Sequence, residues 1–193
     1  MIYCEGECTE EHYFRGIKAE LRALPVAICI GGGHGEPLSL VRSAIKHKKR
    51  AGNSSADRYT PYDEVWCVVD AEAPTQHPSL KEAIALAQRS GVRVALTNPC
   101  FELWLLLHFK DVSGYRTSAS TQSALEKESD CGYAAQRKHL DYDKLRGPDG
   151  ARHTQAVERA RALRQRSADG LTTNPWTDVD ILVDLLREAR ARP

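Results

Sequence analysis

Apolar residues arrive first in short unbroken runs and later at helical spacing, and this change of pattern organises the chain. Residues 2–4, 26–30, 64–69 and 92–97 are nearly continuous apolar stretches bounded by polar or turn-forming residues. Continuous rather than alternating runs mark strands covered on both faces, as in a parallel sheet. Between the first two, Tyr13, Phe14, Ile17, Leu21 and Leu24 recur at helical spacing. Thr9 is the expected N-cap, Glu10 and Glu11 fill the first turn, and Pro25 ends the helix. Helices are likewise predicted over 37–49 and 78–89, and an apolar one over 101–109 after Asn98-Pro99. The order βαβαβαβα predicts an α/β fold: a mostly parallel sheet with right-handed crossovers, flanked by helices.

After Ser113 the strands stop. Residues 119–127, 134–145, 154–166 and 178–190 read as helices joined by glycine-bearing and polar turns, with Thr177 a possible N-cap for the last. The expected division is an α/β catalytic core over 1–112 and a C-terminal helical extension over 113–193, packed on the core. Residues 51–62 are polar and read as an exposed loop.

With 193 residues, 41% of them apolar, the chain can bury a core of its own. A net charge of +1 announces no global basic field for nucleic acid. The segment 46–50 and Arg159, Arg161, Arg164 and Arg166 are local positive clusters. They read as solvated helix faces, any near an acidic site being able to position a phosphate backbone. No apolar run is long enough to span a bilayer, and the start lacks a signal-peptide pattern, so a cytoplasmic protein without membrane contact is expected. Of the six cysteines, Cys4, Cys29 and Cys67 lie in strand-like runs as small hydrophobes. None of the six forms a CxxC pair, and a zinc set of Cys4, Cys8 and a histidine stays open.

Chemistry concentrates at the strand ends. Glu5 follows the first strand, and Asp70-Ala71-Glu72 follows the third. Carboxylates at the C-terminal tips of parallel strands point into the crevice where α/β folds bind ligands. Alternate residues of an extended segment face one way, so Asp70 and Glu72 are expected to converge. Hard cations take oxygen ligands, and Mg²⁺ is typically held by one or two carboxylates plus substrate phosphates, so the two acidic tips together read as one divalent-metal site. Either tip alone reads equally as a turn former or a solvent-facing side chain. Glu102, in the first turn after the fourth strand, reaches the same crevice or serves helix-end electrostatics. His108 sits among apolar residues as a core histidine does, and Lys138 is a lone candidate for electrostatic help. The glycine-rich loop 31–35 lacks the endings of a P-loop or dinucleotide fingerprint and reads as a strand-to-helix turn. A phosphotransfer domain also uses acidic strand tips. It wants a lysine after a later strand, where this chain has Asn98-Pro99.

Three blocks carry a resemblance. Cys4-Glu5-Gly6-Glu7-Cys8-Thr9-Glu10 through Phe14 resembles the EGxxTExxYF opening of the RloB family. Asn98-Pro99-Cys100-Phe101-Glu102-Leu103-Trp104 through Phe109 is similar to its NPxFExWLLxHF segment, and Asn174-Pro175-Trp176-Thr177-Asp178-Val179 to its NPxTxV element. RloB-like proteins resemble Toprim-domain nucleases. The resemblance therefore implies a Toprim-like, Rossmann-like sheet and metal-dependent cleavage of DNA or RNA, tRNA included. It implies Glu5 as catalytic glutamate and Asp70 as the first DxD aspartate, with Glu72 in place of the second. The longer Glu72 side chain puts ideal Mg²⁺ geometry in question and makes Mn²⁺ the alternative to Mg²⁺. Glu102 is a further expected ligand. The family's association with defence and abortive-infection loci implies an ABC-type, RloA-like ATPase as partner. The rival expectation is a non-catalytic module that keeps the fold and uses the acidic cleft for nucleic-acid or protein contact.

Overall fold

The computed structural model describes residues 1–6, 8–22, 26–30, 36–53, 62–166 and 169–191. The expected glycine loop 31–35, the helix stop at Pro25 and most of the expected loop 51–62 lie outside them. β1 (Ile2–Cys4), β2 (Ile28–Ile30), β3 (Trp66–Asp70) and β4 (Arg93–Asn98) are joined by α1 (Thr9–Leu21), α2 (Pro37–Asn53) and α3 (Leu80–Arg89). They pair in parallel, in the order β2-β1-β3-β4. The short helix α4 (Glu102–Leu106) leaves β4. Then come α5 (Ser118–Lys127), α6 (Tyr142–Arg146), α7 (Ala151–Arg164), β5 (Trp176–Thr177) and α8 (Val179–Ala191).

Side-chain alternation sorts the core into two layers. Ile2, Cys4, Trp66, Val68 and Ala95 pack with α1, α4, α7 and α8, whereas Tyr3, Cys67, Val69 and Leu96 pack with α2 and α3. Both faces are thus buried, which is why the strand sequences are uniformly apolar. Because β2 lies to one side of β1 and β3 to the other, α1 and α3 depart over opposite faces. The gap between the ends of β1 and β3 is therefore the topological switch point, where open α/β sheets place their ligands.

The structure departs from expectation in three places, two of them in the C-terminal third. The helix expected over 134–145 is replaced by a bridge between Ala134 and His139 followed by α6. Left-handed Gly132 (φ 65°) and Lys138 (φ 48°) cannot continue a helix, and Asp141 starts α6 by accepting from Lys144 N–H at 3.1 Å. An unexpected fifth strand, β5, pairs antiparallel with β4. Its Thr177 Oγ1 lies 3.1 Å from Thr97 Oγ1 and also accepts from Val179 N–H at 3.3 Å, so the expected capping contact coexists with a strand. Third, Thr9 lies inside α1. Cys8 holds the cap position without a side-chain hydrogen bond, and the Thr9 hydroxyl is free for another partner.

Three of the clustered arginines are bound within the protein. Arg159 pairs with Asp111 at 3.3 Å and donates to Leu107 O at 2.6 Å, and Arg161 pairs with Asp184 at 2.7 Å. Arg164 grips buried Asp180 through both guanidinium nitrogens and also donates to Thr177 O at 2.5 Å. The six cysteines are free. No described helix is long and apolar enough to cross a membrane.

Candidate active site

The register that pairs Cys4 with Val68 brings the ends of β1 and β3 side by side. Glu5, one residue past β1, accepts a hydrogen bond from Asp70 N–H at 3.3 Å. Asp70 closes β3, and its Oδ1 is buried with no hydrogen-bond partner among the described residues. Burial raises the Asp70 carboxyl well above the usual carboxylate range, and the fields of Glu10, Glu5 and Glu102 add to the shift. Burial likewise pushes Glu5 up to about 8, opposed by the Asp70 N–H and reinforced by Glu10, Glu72 and Glu36.

Glu10 was not singled out by its sequence. It is buried in the first turn of α1, and its own carboxyl is raised, first by burial and then by Glu102, while Lys138 acts in the opposite direction. A methyl group on Gly6 would collide with the Glu10 carboxylate. Glu102 is buried at the start of α4 and accepts from Tyr133 O–H at 2.8 Å and from Thr9 Oγ1–H at 3.5 Å. Tyr133 and Lys138 come from the bridged segment 131–141, so a turn that replaced the expected helix supplies two neighbours of the site. Thr9 also donates to Lys138 O at 3.4 Å, tying that segment to α1.

Glu72 does not converge with Asp70. Its backbone is left-handed (φ 60°), which ends the extended alternation after Asp70, and its side chain is exposed. Its field reaches Glu5, while the leading influences on Asp70 come from burial, Glu10, Glu5 and Glu102. Nor does His108 contribute. Its Nδ1 is 3.0 Å from Trp104 O inside an aromatic cluster with Tyr13, Trp104 and His153, and burial pushes it down to about 3. Burial also raises the Cys4 thiol far above its usual value, and no described group of three His, Cys, Asp or Glu supports the zinc set.

Among the described residues no group of three or more His, Cys, Asp or Glu is arranged to hold a metal ion by itself. The donors nevertheless fit a hard divalent cation. They are all carboxylates, they repel one another, and one oxygen lacks a partner. Such a site takes one or two protein carboxylates and completes its shell with substrate phosphate and water.

The raised and lowered groups set opposite limbs of stability against pH. Glu5 holds a proton in the folded chain that the unfolded chain releases above about 4.5, so its contribution is full below that pH and drains as pH rises through about 8. His108 and His153, pushed down by burial to about 3 and about 4, remain neutral where unfolded histidine (6.5) is charged, so their contribution is lost as pH falls below 6.5. Melting temperature without divalent ions is expected to fall from neutral pH towards pH 8.5. Glu5→Gln should make that alkaline limb shallower and leave the acid limb in place, and an unchanged alkaline limb in the variant would refute the assignment.

The family model for RloB-like proteins matches residues 1–186. The chain belongs to the RloB-like family. No curated protein and no solved structure matches it. Within the RloB-like blocks the residues divide by location. Glu5, Gly6, Thr9, Glu10 and Glu102 gather at the switch point, whereas Tyr13, Trp104 and His108 form the aromatic core beneath it. The third block supplies β5, whose Thr177 ties the C-terminal segment to β4.

Proposed function

We propose that this RloB-like protein is a divalent-metal-dependent nuclease that cleaves phosphodiester bonds of DNA or RNA. The observation that carries the reading is the unpartnered Asp70 Oδ1, buried among Glu5, Glu10 and Glu102 at the switch point. Burying like charges together is unfavourable without a compensating cation, and such perturbed groups cluster at functional sites. Mg²⁺ or Mn²⁺, when bound, supplies charge stabilisation at the phosphoryl group.

The chain's own residues divide the remaining work. Asp70 and Glu5 offer the hard oxygens that would hold the cation. Glu5, which burial pushes up to about 8 in the metal-free chain, would either complete the cation's shell or act as general acid or base in phosphodiester cleavage. Tyr133 and Thr9 orient the Glu102 carboxylate as a further ligand, and Lys138 offsets the charge of Glu10. The family's defence setting supports an ABC-type, RloA-like ATPase as the partner that controls cleavage. The non-catalytic alternative draws on the exposed, left-handed Glu72, which weakens the DxD-like motif.

The test is cleavage of end-labelled tRNA and of single- and double-stranded DNA with Mn²⁺ or Mg²⁺, alone and with the ATPase. Wild type is expected to cut only with metal, and Glu5→Gln to lose the activity. Undiminished cleavage by Glu5→Gln would sink the assignment.

A further inference from the structure

β5 covers only the end of β4. It pairs with Thr97 and Asn98, and beyond it Asp178 N–H donates to Leu96 O at 2.9 Å. Arg93 N–H donates to Val65 O, and Thr97 O accepts from Ala71 N–H, so Arg93 and Thr97 turn their backbone groups towards β3. Successive residues of a strand present these groups to opposite edges. Val94 and Leu96 therefore direct theirs to the outer edge. Of those four groups, only the Leu96 carbonyl has a backbone partner among the described residues.

The open edge is the floor of a groove of about 640 Å³. Ile84 of α3 lines one wall and the partly exposed Ile181 of α8 the other, because α3 and α8 cover opposite faces of the sheet. Trp66 stands beside the start of β4 and Trp176 beside its end. Charge along the groove is uneven. Arg93 stacks on Trp66 at 4.2 Å and is met by Glu64 at 3.3 Å, whereas Asp169 and Asp178 line the Trp176 end. An unpaired strand edge is a template for another strand, and folds that leave one open usually cover or charge it.

We propose that this slot receives an extended segment of a partner protein as a further strand on β4, with alternate apolar side chains and a lysine or arginine at the Trp176 end. Backbone pairing to Val94 and Leu96 supplies affinity, and the pockets between the tryptophans and isoleucines select the alternate side chains. The basic residue answers Asp169 and Asp178. A second copy of this chain is the poorer occupant, because its own β4 edge is recessed between the same two helices. The slot lies off the carboxylate site, so the proposal stands apart from the nuclease reading.

The probe is a short fluorescein-labelled peptide alternating valine and threonine and ending in lysines, titrated with the full chain and read by anisotropy. Saturable binding is expected. It should weaken roughly tenfold or more when alternate peptide amides are N-methylated, when glutamates replace the lysines, or in Ile181→Arg. Val94→Pro removes an edge N–H and should do the same. If that variant does not fold, the N-methylated peptide on wild type decides. Equal binding of the N-methylated or glutamate peptide would overturn the proposal, as would no binding at all. Concentration-dependent dimers abolished by Ile181→Arg would assign the edge to a second copy and overturn it as well.

Discussion

Asp70→Asn is expected to make the protein more stable and unresponsive to divalent cations. In the wild type Asp70 ends β3 with a buried, unpartnered oxygen, facing the fields of Glu10, Glu5 and Glu102. An amide of the same shape carries no charge into that cluster. The gain should be small at acid pH, where the Asp70 carboxyl is itself protonated, and should grow as rising pH forces ionisation. Each kcal/mol relieved corresponds to roughly 2–4 °C in Tm for a chain of this size. Wild type, in contrast, should gain from Mn²⁺: ligand at a hundred times Kd stabilises by about 2.7 kcal/mol, and Asp70→Asn should lose that increment. Metal-dependent cleavage should fall by about 10²–10³-fold or more, the scale of removing one group that stabilises transition-state charge. Thermal melts with and without Mn²⁺, paired with cleavage assays, test both halves. A variant less stable than wild type but still shifted by Mn²⁺ would show that Asp70 is structural.

The largest loss of stability is expected far from the crevice, at Arg164→Met. Asp180 is 1% exposed and is held by both guanidinium nitrogens of Arg164, which also donates to Thr177 O in β5. Removing one partner leaves a buried carboxylate uncompensated, at about 3–5 kcal/mol, or a Tm fall on the order of 10 °C. The double variant Arg164→Met/Asp180→Leu should recover most of this, since neither charge then remains buried. Denaturant unfolding of the two variants checks the claim, and equal stability of the single variant and wild type would contradict it. The result also matters for reading activity screens, because loss of nucleic-acid processing in Arg164 variants would reflect unfolding rather than a lost phosphate contact.

What could be read ahead of the structure followed from how strongly each signal is written locally. The buried strands are legible because both faces are covered, leaving apolar runs that stop at Glu5 and Asp70. Their adjacency follows from parallel topology, so the switch-point pair was accessible. Glu10 was not, because a first-turn glutamate that complements a helix dipole and one that is buried in a cluster have the same sequence signature. Glu72 was expected inside because alternation was extrapolated past the strand end, where the backbone turns left-handed. β5 spans Trp176–Thr177, too short for any periodicity to register, and its pairing is set by distant Thr97 and Asn98. The segment 134–145 carries plausible helical spacing, but Lys138 in a left-handed conformation and Asp141 as a cap divide it.

The place of Tyr133 and Lys138 in the chain has a consequence in time. Glu5, Glu10, Asp70 and Glu102 leave the ribosome well before Tyr133, which donates to Glu102, and Lys138, which acts on Glu10, and before β5 pairs with the end of β4. At ordinary elongation rates the interval between Glu5 and Thr177 is on the order of ten to thirty seconds. During synthesis the nascent polypeptide therefore carries Glu102 and Glu10 without these two neighbours, close to the ribosomal and transfer RNAs around it. Tyr133 and Lys138 arrive only with the distal third of the chain, so a half-made copy lacks the partners of Glu102 and Glu10.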